Sequence, residues 1–176
     1  RLRLVDYDDP DQNDWVAVNQ FTVIEGHYNR RPDLIVMVNG LPLAVMELKN
    51  PGDENASLSD AYKQLQTYQK QIPSLFTYNA LLVISDGEAR VGTISAGLER
   101  FAPWRTVDGQ DVVAPGTLEL LTLLHGMFDK RRLLELVRSF VVFEDTPKGV
   151  IKKLAGYQQV GAVRAAIAQT VRATRP

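Results

Sequence analysis

The sequence predicts an α/β fold in which helices flank a mixed central sheet, and three observations lead to this prediction. Two short strands within residues 31–49 are apolar on both faces, as in sheets covered by helices on both sides. Apolar residues at helical spacing, with Ser57 or Ser59 as the N-cap, predict a helix that extends to about Gln71. The apolar run at 80–85 then indicates another buried strand.

The remaining elements follow from apolar runs and turn residues. The buried stripe of the predicted helix should consist of residues at helical spacing, namely Leu58, Ala61, Leu65, Tyr68 and Ile72. Elsewhere the patterns predict a strand over 16–24, a returning strand over 89–95, helices over 117–128 and 130–139, a short strand over 140–144, a turn over 146–149, and a helix from Gly156 or Tyr157 to about Ala173.

The composition is that of an ordinary globular protein. The chain has 176 residues, of which 45% are hydrophobic and 23% are charged, which suits one domain with room for a short appendage. It begins without methionine, and we expect it to be a fragment of a longer protein. The absence of cysteine excludes disulfides and thiolate metal sites. No apolar run reaches the roughly 18 residues that span a bilayer, so we expect a cytoplasmic protein without a membrane partner.

The net charge of −1 does not indicate nucleic-acid binding, but the charges are unevenly distributed. From Thr146 onward the chain has no acidic residue, whereas it has six basic ones: Lys148, Lys152, Lys153, Arg164, Arg172 and Arg175. Two interpretations stay open for this basic segment. It faces phosphate or an acidic neighbour, or it is a solvated helix face.

Two acidic residues and a lysine interrupt the apolar strands of 31–49. Asp33 lies at the start of the first strand, and Glu47 and Lys49 lie at the end of the second. Burying two carboxylates and an ammonium has a large desolvation cost unless something compensates for it, and a divalent cation would do so. Because side chains alternate along a strand, Glu47 and Lys49 share one face and Leu48 takes the other.

The turn at Asn39-Gly40 decides whether Asp33 joins that face. A two-residue type I′ turn would put Asp33 opposite Met46, on the wrong face and away from Glu47. A three-residue loop closed by a glycine bulge would put it opposite Val45, diagonal to Glu47 and on the same face. We predict the three-residue loop, because a register change of one residue separates the acids.

The spacing from Pro32-Asp33 to Glu47-Leu48-Lys49 resembles the PD-(D/E)xK nuclease signature, which by itself is short and common. Longer words resemble the R subunit of type I restriction enzymes, and they cover the chain from about Asn19 to its end. In order, these words are NQFTVIEG (19–26), NRRPD (29–33), NGLPLAVMELKNP (39–51), QLQTYQKQIPSLFTYNALLVISDG (64–87), ERFAPWRT (99–106) and KKLAGYQQ (152–159).

The resemblance implies a restriction-endonuclease-like fold and a Mg²⁺-dependent endonuclease acting on double-stranded DNA. Asp33 and Glu47 would bind the metal together with the carbonyl of Leu48, and Lys49 would contact the attacking water and the scissile phosphate. Many such nucleases use another acid on an upstream helix. Glu25 is the nearest candidate and is expected to be structural, so the number of metal ions stays open. We further expect Lys49→Ala to abolish cutting and to leave folding nearly untouched.

Gln64 and Tyr68 are four residues apart and are therefore neighbours on the predicted helix. They match the QxxxY motif that accompanies the RecB-like branch of these nucleases, which adds them to the implied catalytic residues. The glutamine can reach a phosphate or the lysine, and the tyrosine supplies a ring and a hydroxyl. The alternative for Tyr68 is a packing role in the apolar stripe, from which its hydroxyl could still reach the site.

The segment from Tyr157 to Ala162 resembles the Q motif that precedes the Walker A loop of superfamily 2 helicases. By that resemblance Gln159, with Gln158 as the second choice, would recognise adenine in the full-length subunit. The chain contains no GxxxxGK[ST], so we expect ATP to bind only in the full-length protein. We accordingly divide the chain into an endonuclease domain, 1–145, and a basic lead-in to the absent helicase motor, 146–176.

In this family the R subunit translocates DNA with ATP before cutting, while partner subunits recognise and methylate the DNA. The resemblance therefore implies double-stranded DNA and the modification and specificity subunits as partners. Two alternatives are a nuclease-like docking module without activity and another PD-(D/E)xK enzyme, such as a repair or junction-resolving nuclease. The intact Asp33, Glu47 and Lys49 argue against the first, and the QxxxY helix and the helicase-like end argue against the second.

Overall fold

The computed structural model describes residues 4–53, 57–114, 116–147 and 149–174. The strands are β1 (Trp15–Asn19), β2 (Val23–Glu25), β3 (Tyr28–Arg30), β4 (Leu34–Val38), β5 (Leu41–Leu48), β6 (Leu81–Ser85), β7 (Ala89–Gly92), β8 (Val141–Thr146) and β9 (Gly149–Leu154). The helices are α1 (Leu58–Gln71), α2 (Glu119–Met127), α3 (Lys130–Glu135), which a π-helical turn continues over Leu136–Phe140, and α4 (Tyr157–Thr174). Short 3₁₀ turns lie at Pro10–Gln12, Pro73–Phe76 and Leu98–Arg100.

The central sheet has five strands in the order β1-β4-β5-β6-β7. β5 and β6 run parallel, and the other neighbouring pairs are antiparallel. A parallel pair needs a long connection, and α1 provides it between the end of β5 and the start of β6. The predicted mixed sheet with flanking helices is therefore confirmed, and it agrees with a restriction-endonuclease-like fold.

Both faces of the sheet are buried, as the two-sided apolar strands predict. The face toward α1 forms one cluster, which includes Ile35, Val45, Leu65, Tyr68, Ile72, Leu82 and Ile84. The opposite face packs on α2 and α3 in a second cluster, which includes Met46, Val83, Leu123, Met127, Leu133 and Leu136. Because side chains alternate along β5, Glu47 belongs to the same face as Val45, the face toward α1.

Helix α1 begins and ends where the sequence predicts. The side chain of Ser57 accepts a hydrogen bond from the N–H of Asp60 and caps the first turn. Pro73 follows the last turn and starts a short 3₁₀ segment, because its ring cannot continue the helix. The predicted apolar stripe packs against the sheet, which fixes the rotation of α1 above β5 and β6.

The turn between β4 and β5 differs from the predicted three-residue loop. Val38 pairs with Leu41, so Asn39-Gly40 forms a two-residue turn. Both turn residues have positive φ, 51° for Asn39 and 77° for Gly40, as a type I′ turn requires. Asn-Gly is the pair that tolerates this conformation best, and this preference explains why a two-residue turn forms and not the predicted three-residue loop.

The bulge lies instead inside β5. Met37 pairs with Pro42 and Val36 pairs with Ala44, which leaves Leu43 as the extra residue. Pro42 has no N–H to donate to the ladder, and prolines inside sheets occur at such irregular positions. The one-residue offset that the sequence analysis assigns to Gly40 in the turn is thus located three residues later, at Leu43 in the strand.

Other elements differ in extent. Gln20, with φ of 51°, divides the strand predicted over 16–24 into β1 and β2. The sequence analysis does not predict β9, whose apolar residues are followed by two lysines, and β9 pairs along its full length with β8. α2 and α3 are both shorter than the helices predicted over 117–128 and 130–139, and the π-helical turn covers the rest of the second prediction.

The predicted basic segment after Thr146 is largely engaged within the fold. Three of its side chains have partners, namely Lys152 with the carbonyl of Asn79, Lys153 with Glu144, and Arg164 with Glu135. Lys148 and Arg175 lie outside the described residues. The predicted boundary between an endonuclease domain and a helicase lead-in, after residue 145, falls inside the β8–β9 hairpin. The functional division into these two parts stays a prediction. No described helix is long and apolar enough to cross a membrane.

Candidate active site

Asp33 and Glu47 meet on the sheet face that packs against α1. Leu34 pairs with Met46, so continuing this register by one residue places Asp33 across from Glu47. The two acids share a face, but they lie opposite each other and not diagonally as predicted, because the bulge is in β5. Lys49 directly follows β5 and projects to the same side as Glu47.

Glu47 is almost completely buried, with 1% of its surface exposed. Its Oε1 lies 2.9 Å from Nζ of Lys49, whereas its Oε2 is buried without a hydrogen-bond partner among the described residues. Burial raises the pKa of Glu47, and the charge of Asp33 adds to this, while the Lys49 ammonium and the nearby Tyr68 hydroxyl oppose it. A positive charge at Oε2 would satisfy the unpartnered oxygen.

Hydrogen bonds connect Glu47 to α1 through Lys49. Lys49 Nζ donates to Oε1 of Gln64 at 2.8 Å, and Nε2 of Gln64 donates to the hydroxyl of Tyr68 at 2.6 Å. Gln64 thus contacts the lysine, one of the two partners considered for it. Tyr68 belongs to the core and to the site at once, because its buried ring packs in the stripe of α1 while its hydroxyl contacts Gln64. Burial raises the pKa of Tyr68 above its ordinary value of 10.0, so the phenol is protonated at neutral pH with or without this shift.

Both carboxylate oxygens of Asp33 accept hydrogen bonds. Oδ2 accepts from the backbone N–H of Leu48 at 2.8 Å, and Oδ1 accepts from Nε2 of Gln20 at 2.6 Å. Leu48 therefore contributes its N–H to the site, whereas the role of its carbonyl as a metal ligand stays a prediction. A carboxylate oxygen has a second lone pair, so these contacts still allow Asp33 to bind a cation.

The donor set fits magnesium. The described residues contain no group of three or more His, Cys, Asp or Glu side chains that could hold a metal. Mg²⁺ needs fewer, because it binds through one or two carboxylates and keeps several waters. Asp33 and Glu47 supply two, and the unpartnered Oε2 of Glu47 is a buried acceptor that a cation would satisfy.

The site opens into a polar cleft of about 670 Å³. Asp33, Gln64 and Tyr68 line it together with side chains that the sequence analysis does not single out, namely Gln20, Arg30, Arg31 and Lys63. Arg31 is exposed and has no ion-pair or hydrogen-bond partner within the part of the chain that the structure describes. The positions of Arg30 and Arg31 could have been predicted from the segment NRRPD, because residues that directly precede Pro32-Asp33 must lie near Asp33.

The β2–β3 hairpin forms one wall of the cleft and is attached to the end of α1. Glu25 Oε2 accepts hydrogen bonds from the N–H and the hydroxyl of Ser74, at 3.1 and 2.7 Å. Arg30 donates from Nε to the side chain of Gln71. Glu25 therefore has the structural role expected of it, and its contacts fix the wall that carries Arg30.

Gln158 and Gln159 lie in the first turn of α4. Both are exposed, and Oε1 of Gln159 accepts a hydrogen bond from the N–H of Gly156 at 2.8 Å and so caps the start of the helix. The structure gives Gln159 a local role, and the recognition of adenine by either residue in a full-length subunit stays a prediction.

Comparison with known proteins identifies the family of this chain. The family profile described as type I restriction enzyme R protein N terminus matches residues 1–100. The type I restriction enzyme HindI endonuclease subunit of Haemophilus influenzae is 44% identical over 98% of this chain and 17% of its own length. The SsaAORF53P endonuclease subunit of Staphylococcus saprophyticus is 38% identical over 43% of this chain and 8% of its own length. The chain thus spans less than a fifth of these curated relatives, and it belongs to the family of type I restriction enzyme R protein N-terminal regions.

Proposed function

We propose that this chain is the endonuclease part of a type I restriction enzyme R subunit and that it hydrolyses phosphodiester bonds of double-stranded DNA in a Mg²⁺-dependent reaction. The observation that carries the proposal is the buried Glu47, which has one unpartnered oxygen, lies across from Asp33 and contacts Lys49. Burying the carboxylate of Glu47 has a desolvation cost that a purely structural hairpin would avoid with an apolar residue. Binding of a cation at Glu47 would offset that cost.

Each residue of the site has a role in this proposal. Asp33 and Glu47 would hold Mg²⁺ together with the Leu48 carbonyl, and the bound ion would lower the pKa of a water and polarise the phosphoryl oxygen. Lys49, 2.9 Å from Glu47, adds positive charge where negative charge develops on the phosphate. Gln64 accepts from the ammonium of Lys49 at 2.8 Å and so restricts its position.

Tyr68 and the walls of the cleft complete the proposed site. The protonated phenol of Tyr68 accepts from Gln64 and limits the rotation of that amide. Arg30 and Arg31 suit the phosphodiester backbone of DNA, whereas Lys63 is ion-paired with Asp60, which lines the same cleft. Because phosphate contacts position nucleic acid without reading its sequence, we expect little intrinsic sequence preference. Recognition would belong to the specificity and modification subunits, and ATP-driven translocation to the remainder of the R subunit.

Replacement of Asp33 in the full-length subunit tests the proposal. Asp33→Asn keeps the size of the side chain and an acceptor for the N–H of Leu48, but it removes the charge that a cation needs. In the complex assembled with the modification and specificity subunits, we expect DNA cutting to fall at least about 100-fold, while ATP hydrolysis and translocation continue. Asp111→Asn, at an exposed loop position, is the matched control. Normal cutting by Asp33→Asn would refute the assignment of the site.

Manganese can mark the metal site without turnover. We expect an anomalous difference peak between Asp33, Glu47 and the carbonyl of Leu48 in crystals soaked in Mn²⁺, and no peak at that place in Asp33→Asn crystals. Occupancy of a different place, with Asp33 and Glu47 left free, would contradict the proposed ligands.

A further inference from the structure

Gln20 has a backbone conformation that its residue type does not favour. Among the described residues, only Gln20 and Asn39 are non-glycine residues with positive φ, and both have φ of 51°. The conformation of Asn39 is explained by the two-residue turn, and asparagine tolerates the left-handed region. Gln20 lies in no such turn and has no such preference, so its conformation needs another explanation.

The conformation of Gln20 brings two of its groups to Asp33. The β1–β4 ladder ends at the pair Asn19 and Leu34, and the N–H of Gln20 then donates to the carbonyl of Asp33 at 3.0 Å. The side chain turns toward the same residue, and its Nε2 donates to Oδ1 of Asp33 at 2.6 Å. Without that side chain, Oδ2 of Asp33 would keep its bond to the N–H of Leu48, but Oδ1 would have no described donor.

We propose that Gln20 is a positioning residue that fixes the orientation of the Asp33 carboxylate for a divalent cation. The inference rests on the proposed function and adds a residue outside the nuclease motif to it. Two donors on opposite oxygens, Leu48 N–H and Gln20 Nε2, prevent rotation of the carboxylate and direct its remaining lone pairs. Such outer partners of metal ligands typically change metal affinity by about 10- to 100-fold when they are lost.

A merely structural role for Gln20 would give a different result from a positioning role. If the side chain of Gln20 served only to hold the end of β1 against β4, its removal would lower stability and leave metal affinity unchanged in the folded protein. If it orients Asp33, its removal should lower metal affinity while stability is preserved, because the left-handed backbone is relieved. Gln20→Gly separates these cases, since glycine adopts positive φ freely and keeps the backbone bond to Asp33.

The experiment measures Mn²⁺ affinity and metal-free thermal stability on the 176-residue chain, whose sheet has a buried core on both faces. For Gln20→Gly we expect the affinity for Mn²⁺ to fall by about tenfold or more. We expect its Tm in EDTA to be no lower than that of the unmodified chain. Asn39→Gly is the matched control at the other left-handed position. Its side chain accepts from the N–H of Asp14 and donates to the carbonyl of Leu4, so we expect a lower Tm and unchanged Mn²⁺ affinity.

The outcomes distinguish this inference from the proposed function. Unchanged Mn²⁺ affinity in Gln20→Gly, or a fall in Tm like that of Asn39→Gly, would overturn the positioning role. Asp33→Asn, measured alongside, reports on the metal site itself. If Asp33→Asn binds Mn²⁺ as the unmodified chain does, the metal site of the proposed function fails. If Asp33→Asn loses binding and Gln20→Gly does not, only the role of Gln20 fails.

Discussion

Replacing Lys49 by alanine should destabilise the protein in a pH-dependent manner. Lys49 is the only cation within ion-pair distance of Glu47 among the described residues, and Glu47 is 1% exposed. From the sequence alone, Lys49→Ala is expected to leave folding nearly untouched. The burial of Glu47 changes that expectation, since truncation of Lys49 leaves a buried carboxylate without its partner.

The size of the effect follows from the protonation of Glu47. An unpartnered Glu47 can always take up a proton, and at pH 7 this costs about 3.4 kcal/mol relative to its ordinary pKa of 4.5. The Lys49 side chain is 20% exposed, so water entering its place recovers part of the lost solvation. We therefore expect Lys49→Ala to lower the free energy of unfolding by about 2–3 kcal/mol at pH 7, or Tm by about 5–10 °C.

The sign of the pH dependence is fixed by the direction of the pKa shift. Burial raises the pKa of Glu47, and loss of Lys49 raises it further. Between pH 4.5 and that raised pKa, the folded variant binds more protons than the unfolded chain, so its free energy of unfolding falls as pH rises. Below pH 4.5 both states are protonated, and only the lost hydrogen bond to Gln64 remains.

Urea denaturation in EDTA at several pH values measures this effect. Lys70→Ala, at an exposed position on the same helix as Gln64, is the matched control and should be nearly neutral. The double variant Lys49→Ala/Glu47→Gln should recover most of the stability at pH 7, because the buried charge is gone. The reasoning would be refuted if Lys49→Ala were as stable as Lys70→Ala at pH 7, or if its loss did not diminish toward pH 4.5.

Two further predictions concern the cleft and the core. Arg31→Ala should weaken duplex DNA binding in EDTA and reduce the slope of log K against log [salt] by about 0.9, because one phosphate contact is lost. In the same fluorescence anisotropy titration, the control Arg100→Ala should change neither the affinity nor the slope. Equal slopes for both variants would contradict a phosphate contact by Arg31. Gly126→Ala should lower the free energy of unfolding by about 1–3 kcal/mol in urea denaturation, although alanine favours helices. The reason is that the new Cβ would overlap the Thr106 carbonyl and lie 2.5 Å from Nε1 of Trp104. An unchanged free energy of unfolding would show that α2 can shift to make room.

Helix α1 could be predicted almost completely from the sequence because several local signals agree. The cap at Ser57, the apolar stripe that includes Leu65 and Tyr68, and Pro73 after the last turn all mark the same segment. The spacing of Gln64 and Tyr68 on that helix also placed both on one side, and they are hydrogen-bonded. Local periodicity thus suffices where each residue interacts with its own helix and one sheet face.

The side chains around Asp33 could not be predicted in the same way, because their contacts depend on how distant segments fold together. Gln20 reaches Asp33 from the end of β1, and Arg30 reaches the cleft because the β2–β3 hairpin is attached to Gln71. Lys152 is another case, since its charge suggests a solvated position although it contacts the carbonyl of Asn79. Residue type and spacing do not specify such tertiary contacts.

The register of the β4–β5 hairpin shows how a correct conclusion about the site arises from a wrong local prediction. The two-residue turn at Asn39-Gly40 by itself would put Asp33 opposite Met46 and away from Glu47. The extra residue at Leu43 corrects this by one position, so that the acids face each other. A proline in the central strand β5 was the missed signal, because Pro42 cannot donate to the ladder and therefore favours an irregularity there. The bulge in β5, and not the turn, is what brings the two carboxylates onto one face.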